Sequence, residues 1–332
     1  MRTQIHLFLI VLIVGFLTGP RAIAAIQSLS ASSQSSSQQS AQVASSVPLE
    51  ETVKDVVTVK KDPFADLNLK AKSVYVWDIH AHRKLYGVNE HAVLPLASVT
   101  KMMMAVVAKE VLPANEKVTI RPIDILHEGD NGLLVGEKWA FDELLKFTLM
   151  ASSNDGASAI ASVAGAALNT STTTNAAESK RLFIKRMNDK AKDMGLTSTR
   201  FYNESGLDLE SLASGAHGSS RDMAMLFEYV YKKYPDLFTP TAFASMHIKS
   251  ESNFVHHVAN TNQSVKHLGG IIGSKTGYTT LAGGNLVIII DIGINHPVVI
   301  SVLGSTRDGR FSDVEKLIAA ATEEIINTST VN

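Results

Sequence analysis

The sequence predicts a mixed α+β fold in which one sheet is assembled from both ends of the folded part of the chain. Near its start, residues 73–78 and 83–88 are β-rich runs around a short turn, which is typical of a β-hairpin. Near its end, residues 284–291 and 297–303 are continuous β-branched runs, as expected of neighbouring buried strands. The segments between these runs carry apolar residues at helical spacing, so we expect a helical cluster beside the sheet.

The helices follow from the spacing of apolar and small residues. In residues 141–151, for example, Phe141, Leu144 and Leu145 recur at intervals that place side chains on one helix face. The other predicted helices are residues 97–111, 154–167, 182–194 and 221–234, with a closing helix at 313–326.

The bulk composition excludes several classes of function. The 332 residues contain 31 basic and 32 acidic side chains, and this balance gives no electrostatic reason to expect nucleic-acid binding. The chain has no cysteine, so disulfides, thiolate catalysis and cysteine-based zinc sites are excluded. None of the 11 histidines has a spacing typical of metal ligands.

The first 25 residues are typical of an export signal. Arg2 precedes an apolar run at residues 5–17, and Ala22 and Ala24 are the small residues that a signal peptidase reads. A membrane span needs about 20 residues, so cleavage after Ala24 is preferred to an uncleaved membrane anchor. Either outcome places the rest of the chain outside the cytoplasmic membrane, in the periplasm or cell wall.

The remaining chain divides by composition into three parts. Residues 26–66 begin as a Ser- and Gln-rich segment and stay polar and charged, which predicts a flexible linker because little apolar surface can be buried. Residues 67–326 form the predicted globular domain, and residues 327–332 form a short tail. Contact with a membrane is expected only through the N-terminal segment, if that segment is not cleaved.

The first of three chemically informative clusters is Ser98-Val99-Thr100-Lys101. Three residues apart on a helix, Ser98 and Lys101 lie on one face, so the amine can reach the hydroxyl. Lysine acts as a base only when neutral, and burial or a second ammonium nearby would lower its pKa from about 10.4. Residues 102–108 are apolar, which indicates a buried helix. Burying a lysine there costs free energy, so its presence favours a functional role.

The second cluster, Ser152-Ser153-Asn154, falls between two predicted helices. There, Ser152 can relay a proton between Lys101, Ser98 and a leaving amine, and Asn154 can hold Lys101 or a substrate carbonyl. Ser and Asn are also preferred helix N-caps, so one of these residues is expected to cap the second helix.

The third cluster is Lys275-Thr276-Gly277, which continues into Tyr278 and Thr279. A strand bearing Lys275 and Thr276 offers a cation and a hydroxyl to a substrate carboxylate. Gly277 has no side chain, so a peptide could lie alongside as an added strand. The backbone N–H groups of Tyr278 and Ser98 could form an oxyanion hole. Each cluster alone is weak evidence, and their ordered combination is strong.

These clusters closely resemble those of the low-molecular-mass penicillin-binding proteins, the D-alanyl-D-alanine carboxypeptidase family. Residues 94–102 resemble the family's nucleophile segment, and residues 195–207 its mid-domain loop. Residues 303–311 resemble its last strand and the start of its last helix. The resemblance implies a three-layer α/β/α fold of the β-lactamase/transpeptidase type, in which helices flank an antiparallel sheet and an all-helical subdomain lies beside the site.

The resemblance also implies a reaction. Ser98 is acylated by a peptidoglycan stem peptide that ends in D-Ala-D-Ala, the last D-alanine leaves, and water hydrolyses the acyl-enzyme. Lys101 is the implied general base, assisted by Ser152 and Asn154. Such chemistry needs neither a metal nor an organic cofactor. β-Lactam antibiotics are the implied covalent inhibitors.

The implied carboxylate ligands are Lys275, Thr276 and Arg310, with Arg307 as a nearby alternative to Arg310. The sequence departs from the family pattern at two positions: Tyr278 stands where some relatives carry His, and Ser153 where Gly is frequent. These departures leave open what the side chain of Tyr278 contributes.

Three other functions are alternatives to the carboxypeptidase interpretation. Many family members continue into a β-rich domain and an amphipathic tail, which these residues lack, and some relatives of that shape are D,D-endopeptidases that cut peptidoglycan cross-links. A β-lactamase is less favoured, because no Glu-x-x-Leu-Asn segment is present to position a hydrolytic water. A non-catalytic wall-binding protein is disfavoured because Ser98, Lys101 and Lys275 are all retained.

Overall fold

The computed structural model describes residues 62–125, 128–129, 132–169 and 175–329. The predicted export signal, the linker up to residue 61 and the last three residues of the tail lie outside these ranges. The strands are β1 (Ser73–Asp78), β2 (Arg83–Val88), β3 (Leu94–Pro95), β4 (Lys117–Thr119), β5 (Lys138–Ala140), β6 (Arg200–Phe201), β7 (Ala216–Gly218), β8 (Ser245–Lys249), β9 (Val255–Ala259), β10 (Ile271–Thr279), β11 (Gly283–Asp291) and β12 (Pro297–Ser305). The α-helices are α1 (Lys101–Val111), α2 (Phe141–Ala151), α3 (Asn154–Ala167), α4 (Ala176–Asp193), α5 (Ser220–Lys233) and α6 (Gly309–Ser329).

The main sheet has five strands in the order β10-β11-β12-β1-β2, and every neighbouring pair is antiparallel. The two ends of the domain meet at its centre, where Ser73 of β1 lies opposite Leu303 of β12. The predicted sheet built from both ends of the chain is therefore confirmed. The early hairpin has the predicted bounds, with β1 and β2 joined across a turn.

Helices cover both faces of this sheet because the central strands present mainly apolar side chains to each face. On β11, Ile288 belongs to a buried cluster that includes Leu317 of α6. The next residue along, Val287, belongs to a larger cluster on the opposite face, together with Met102 of α1 and Leu226 of α5. The three-layer arrangement implied by the resemblance is confirmed.

A helical subdomain adjoins the sheet and consists mainly of α2, α3 and α4 around α1. Helices α3 and α4 approach closely because α3 is rich in small residues. A Cβ on Gly165 would lie only 1.8 Å from the Ser179 carbonyl oxygen, so a side chain there would force the helices apart. The structure also places the hairpin β4–β5 beside these helices, which the sequence pattern did not predict.

The element boundaries differ from the predictions in a few places. Helix α4 begins at Ala176, six residues before the predicted start at 182, because Asn175 caps it by accepting a hydrogen bond from the Glu178 N–H. The predicted helix 97–111 begins as a 3₁₀ turn, Ala97–Thr100, and becomes α-helical at Lys101.

Both ends of the predicted domain extend further than expected. Phe64, within the predicted linker, is 4% exposed and stacks on Tyr86 with ring centroids 4.8 Å apart, so packing begins at least at this residue. At the other end, α6 runs to Ser329 and includes part of the predicted tail. Within the described ranges, no helix is both long and apolar enough to cross a membrane.

Candidate active site

Ser98 lies in the 3₁₀ turn that leads into α1. The backbone bends sharply before it, because Ala97 has a φ of +47°, in the left-handed region that residues with a side chain seldom adopt. The other residues of the turn, Ala97, Val99 and Thr100, are buried, whereas Ser98 is partly exposed. Ser98 is therefore the residue of this turn that a substrate can reach.

Lys101, the first residue of α1, is fully buried and bonds to three oxygens. Its Nζ donates hydrogen bonds to Ser98 Oγ at 2.8 Å, to Asn154 Oδ1 at 2.8 Å and to the Ser205 carbonyl at 3.0 Å. The Asn154 amide donates to the Glu128 carbonyl at 2.7 Å, which orients its oxygen toward the lysine. The predicted contacts of Lys101 with Ser98 and Asn154 are present.

Burial lowers the pKa of Lys101 to about 7, while the nearby carboxylates Glu204 and Asp155 oppose the shift. A lysine with that pKa is substantially neutral near neutral pH. An amine in that state beside a hydroxyl can accept its proton, which is the requirement for a general base.

The second cluster lies at the junction of α2 and α3, and its three residues have different structural roles. Ser152 ends α2 with a φ of +60°, Ser153 caps α3 by accepting from the Gly156 N–H at 3.0 Å, and Asn154 opens α3. Capping and the polar contacts of the cleft therefore fall on different residues. The predicted N-cap is Ser153.

Lys275 on β10 is also buried, with 1% of its surface exposed. Its Nζ donates to Ser152 Oγ at 2.8 Å and to the Thr276 carbonyl at 2.9 Å. Burial holds the pKa of Lys275 well below its usual value, and the positive charges of Lys101 and Arg310 lower it further. The three clusters thus converge on one cleft, with one lysine bonded to Ser98 and the other to Ser152.

Gly277 is required by the nucleophile segment itself. A Cβ at this position would lie 2.8 Å from the Leu96 carbonyl oxygen and 3.1 Å from the Ser98 backbone nitrogen. The sequence-based reason for glycine, room for a peptide alongside β10, therefore differs from the one in the structure, where the bare Cα accommodates the turn that carries Ser98. This contact also places the Ser98 N–H against β10, the strand that carries the Tyr278 N–H.

Arg310 and Arg307 have different positions beside β10. Arg310 is 7% exposed and donates from Nη1 to the Gly277 carbonyl at 2.7 Å. Burial and the neighbouring Arg307 lower the pKa of Arg310 to about 10. Arg307 lies over the half-exposed ring of Tyr278, 5.3 Å from its centroid. Arg310 is therefore the arginine that contacts the backbone of the Lys275 strand.

The two threonines of β10 each have a side-chain partner. The Thr276 hydroxyl shares a 2.6 Å hydrogen bond with the Thr261 hydroxyl, and Thr279 Oγ1 donates to Asp208 Oδ1 at 3.1 Å. Sequence reasoning missed both partners, because neither belongs to a short motif. It also missed the Ser205 carbonyl as a contact of Lys101, although Ser205 lies in the loop that resembles the family.

The described residues contain no group of three histidine, aspartate or glutamate side chains that could hold a metal ion. The cleft is instead built from hydroxyls, one amide and buried amines. A partly exposed serine hydrogen-bonded to a lysine of lowered pKa can perform nucleophilic acyl transfer.

An antiparallel sheet flanked by helices, with a serine and two buried lysines in one cleft, defines a serine hydrolase of the penicillin-binding type. Comparison with known proteins agrees. The family model described as D-alanyl-D-alanine carboxypeptidase, peptidase family S11, matches residues 55–307. The chain belongs to this family and is a serine peptidase.

Curated relatives carry two kinds of name. D-alanyl-D-alanine carboxypeptidase DacF of Bacillus subtilis is 28% identical over 260 residues, which cover 76% of this chain and 62% of that protein. A D-alanyl-D-alanine endopeptidase of Haemophilus influenzae is 30% identical over 226 residues, 66% of this chain and 70% of that protein. The chain therefore spans less than two thirds of DacF and more than two thirds of the endopeptidase.

Solved structures share the fold. A variant of a Streptomyces DD-transpeptidase superposes with a TM-score of 0.67 at 24% identity, covering 76% of this chain and 98% of that one. Penicillin-binding protein D2 from Listeria monocytogenes, in its ampicillin-bound form, gives a TM-score of 0.64 at 24% identity, with 77% and 98% covered.

Proposed function

We propose that this protein is a serine-type D-Ala-D-Ala carboxypeptidase that removes the terminal D-alanine from peptidoglycan stem peptides through an acyl-enzyme on Ser98. The observation that supports it most directly is the 2.8 Å hydrogen bond between Ser98 and a fully buried Lys101 whose pKa is lowered to about 7. Family membership supports the substrate class, because the matching model describes D-alanyl-D-alanine carboxypeptidases.

In the acylation step, neutral Lys101 accepts the Ser98 proton as Oγ attacks the carbonyl carbon of the penultimate D-alanine. The N–H groups of Ser98 and Tyr278 would stabilise the oxyanion. When the C–N bond breaks, the leaving amine of D-alanine takes a proton, which Ser152 can relay. The Asn154 amide keeps Lys101 directed at Ser98, since it accepts from the amine at 2.8 Å.

The terminal carboxylate of the substrate would bind at β10. Lys275 and Thr276 supply a cation and a hydroxyl, and Arg310 adds positive charge beside Gly277. Positive neighbours lower the pKa of Lys275, so an incoming carboxylate would raise it and favour the ammonium form. The remaining β10 residues, Tyr278 and Thr279, would extend the contact with the peptide backbone.

Deacylation uses the same groups in the reverse sense. Lys101 removes a proton from a water molecule, the hydroxide attacks the ester carbonyl, and the Ser98 oxygen leaves with the returned proton. β-Lactams would acylate Ser98 in the same way and act as covalent inhibitors. Because the substrate is cell-wall peptide, we place the protein outside the cytoplasmic membrane, tethered only if the N-terminal segment is retained.

The direct test uses the purified protein, penicillin and a synthetic peptide ending in D-Ala-D-Ala. We expect free D-alanine from the peptide, and a single penicillin adduct located on Ser98 by mass spectrometry of the digested protein. Ser98→Ala should abolish both signals. Ser162→Ala is the matched control, since this buried serine of α3 lacks a hydrogen-bond partner for its hydroxyl within the described residues. Equal D-alanine release by wild type and Ser98→Ala would refute the mechanism.

The second candidate is a D,D-endopeptidase that hydrolyses peptidoglycan cross-links. The favouring observation is that relatives named D-alanyl-D-alanine endopeptidase match over 70% and 83% of their own length, and one of them is 30% identical to this chain. Carboxypeptidase DacB2 of Mycobacterium tuberculosis matches over 77% of its length, so the length covered does not separate the two activities. Digestion of purified cell wall, followed by separation of the muropeptides, distinguishes the two. Shortened pentapeptides with free D-alanine support the carboxypeptidase, and conversion of dimers to monomers supports the endopeptidase.

A further inference from the structure

Asn285 is an unusual residue for its position, because it is a fully buried amide in strand β11, whose other buried residues are glycine or apolar. Its Nδ2 donates to the carbonyls of Pro95 and Leu96, both at 3.0 Å, and its Oδ1 accepts from the Gly304 N–H at 2.8 Å. A buried amide is costly unless its polar atoms are bonded. Here every bond goes to the backbone of another segment, so the side chain joins three parts of the chain.

Two of these bonds end on the residues that immediately precede the Ser98 turn. The turn is conformationally strained, since Ala97 has a left-handed φ of +47°. Strain of this kind persists only where surrounding contacts hold the backbone in place. The Asn285 amide donates to the two carbonyls on the N-terminal side of the strained residue and so supplies such a contact.

The turn is also confined by two glycines. A Cβ on Gly277 would lie 2.8 Å from the Leu96 carbonyl oxygen, and a Cβ on Gly206 would lie 1.9 Å from the Ala97 carbonyl oxygen. Gly277 is the residue directly opposite Asn285 in the β10–β11 pairing. In this cross-strand pair, Gly277 lies against the Ser98 turn and Asn285 forms hydrogen bonds to the residues before it. Together these contacts set the distance between Ser98 and β10.

We infer that Asn285 is a positioning residue that holds the Ser98 turn against the Lys275 strand. It acts through the backbone and does not touch substrate, since it is fully buried behind the turn. The inference rests on the proposed acyl transfer at Ser98, because its consequence is the alignment of the Ser98 hydroxyl and N–H with a carbonyl bound along β10. Displacement of a reacting group by about 1 Å can slow a reaction by about 100-fold.

The test compares Asn285→Ala with Asn188→Ala in the full chain. Asn188 is a matched control, because its amide also donates to two carbonyls and accepts from one backbone N–H, but it joins α4 to β6 and makes no bond to the Ser98 turn. Stopped-flow kinetics with a fluorescent penicillin separates reversible binding from the acylation step. Hydrogen exchange of the peptide spanning residues 94–104 reports on the turn without requiring any reaction.

We expect Asn285→Ala to slow the acylation step by about 10- to 100-fold, with the dissociation constant of the reversible complex changed less than about twofold. Exchange at residues 94–104 should become faster in this variant and stay unchanged in Asn188→Ala. An acylation step within about twofold of wild type, or unchanged exchange at 94–104, overturns the inference.

Two further outcomes are distinguished by the same design. If Asn285→Ala does not fold, the milder Asn285→Ser is measured against the same criteria. If wild type is not acylated at Ser98, the proposed function fails, while hydrogen exchange still shows whether Asn285 holds the turn.

Discussion

The two lysines of the cleft are equally buried but have opposite electrostatic surroundings. Lys101 lies near the carboxylates of Glu204 and Asp155, which raise its pKa against the effect of burial and leave it at about 7. The charged groups that act on Lys275 are Lys101 and Arg310, which lower its pKa in addition to burial. Carboxylates on the helical side of the cleft therefore offset part of the effect of burial on Lys101. On the sheet side, the neighbouring positive charges add to the effect of burial on Lys275.

This difference separates two chemical roles that the same residue type can serve. A balanced amine with a pKa near neutrality can exchange protons during a reaction, as a general base must. A buried amine surrounded by positive charges is stabilised in its ammonium form when an anionic group of the substrate binds beside it. The comparison predicts that changes at Lys101 affect the rate of reaction, and that changes at Lys275 affect the recognition of carboxylate.

The largest effect is expected for Lys101→Met, which removes the proton acceptor. Acylation of Ser98 should slow by about 10²- to 10⁴-fold, the usual contribution of a general base. Rapid-quench labelling with radioactive penicillin measures the rate. Lys109→Met is the control, because Lys109 lies on the same helix but pairs with Asp142. If both variants acylated at the wild-type rate, Lys101 would not be the base.

Lys275→Met should weaken carboxylate recognition by about 10- to 100-fold. This is the factor expected from the loss of one hydrogen bond to a charged group. The change should appear as a lower kcat/KM for a peptide with a free terminal carboxylate. The same peptide with a terminal amide serves as the internal control, because it never forms this contact. A variant that kept the full preference for the carboxylate peptide would contradict the assignment.

The third prediction concerns stability and reverses the usual cost of a core substitution. Lys275→Met removes a buried amine that has no carboxylate counter-charge, but it also removes the donor to Ser152 Oγ and the Thr276 carbonyl. Because desolvating a buried charge costs several kcal/mol, we expect the gain to exceed the loss, with the free energy of unfolding higher by about 1 kcal/mol and Tm higher by about 3 °C. Lys101→Met should gain less, because its carboxylate neighbours lose their counter-charge. Urea unfolding at pH 7 measures both; a destabilised Lys275→Met would show that its surroundings already compensate the charge.

The smallest effect is expected for Glu204→Gln and concerns pH. Acylation needs neutral Lys101, so its rate should fall about tenfold per pH unit below the pKa of about 7. The Glu204 carboxylate raises that pKa, and its partner Lys180 lies 3.4 Å away. Removing the carboxylate lowers the pKa of Lys101 and should move the acid limb of the profile to lower pH.

The pH profile of acylation over pH 5–9 measures this shift. Glu143→Gln is the control, since Glu143 is an exposed carboxylate of α2 paired with Lys146. A shift to higher pH in Glu204→Gln, or an equal shift in both variants, would show that the Glu204 carboxylate does not raise the pKa of Lys101.

Much of the fold could be predicted from local sequence. Helices α2 and α3 begin and end at the predicted residues, because their apolar spacing and the intervening Ser153 cap are local signals. The short strands β3 to β9 were missed, since runs of two to five residues carry too few positions to show an alternating pattern, even where the partner is as near as in the β8–β9 hairpin. The early start of α4 was missed because its first turn lacks apolar periodicity.

The candidate site divides in the same way. Residues in short motifs, such as Ser98, Lys101 and Lys275, could be named from spacing. Asn285 left a signal that was missed, because it is an amide directly before the continuous apolar run of residues 286–290. Thr261 left none, because its relevance comes only from the hydroxyl of Thr276, 15 residues further along the chain.

The sequence by itself determined which chemical groups are available and on which local elements they lie, because helical spacing, caps and strand patterns depend on neighbouring residues. Only the tertiary structure decided which groups meet. Lys101 reaches Asn154 and Ser205 across 53 and 104 residues of chain, and Lys275 reaches Ser152 across 123. The pKa of each lysine depends on burial and on charges brought in by these distant segments, and such an environment exists only once the whole domain has packed.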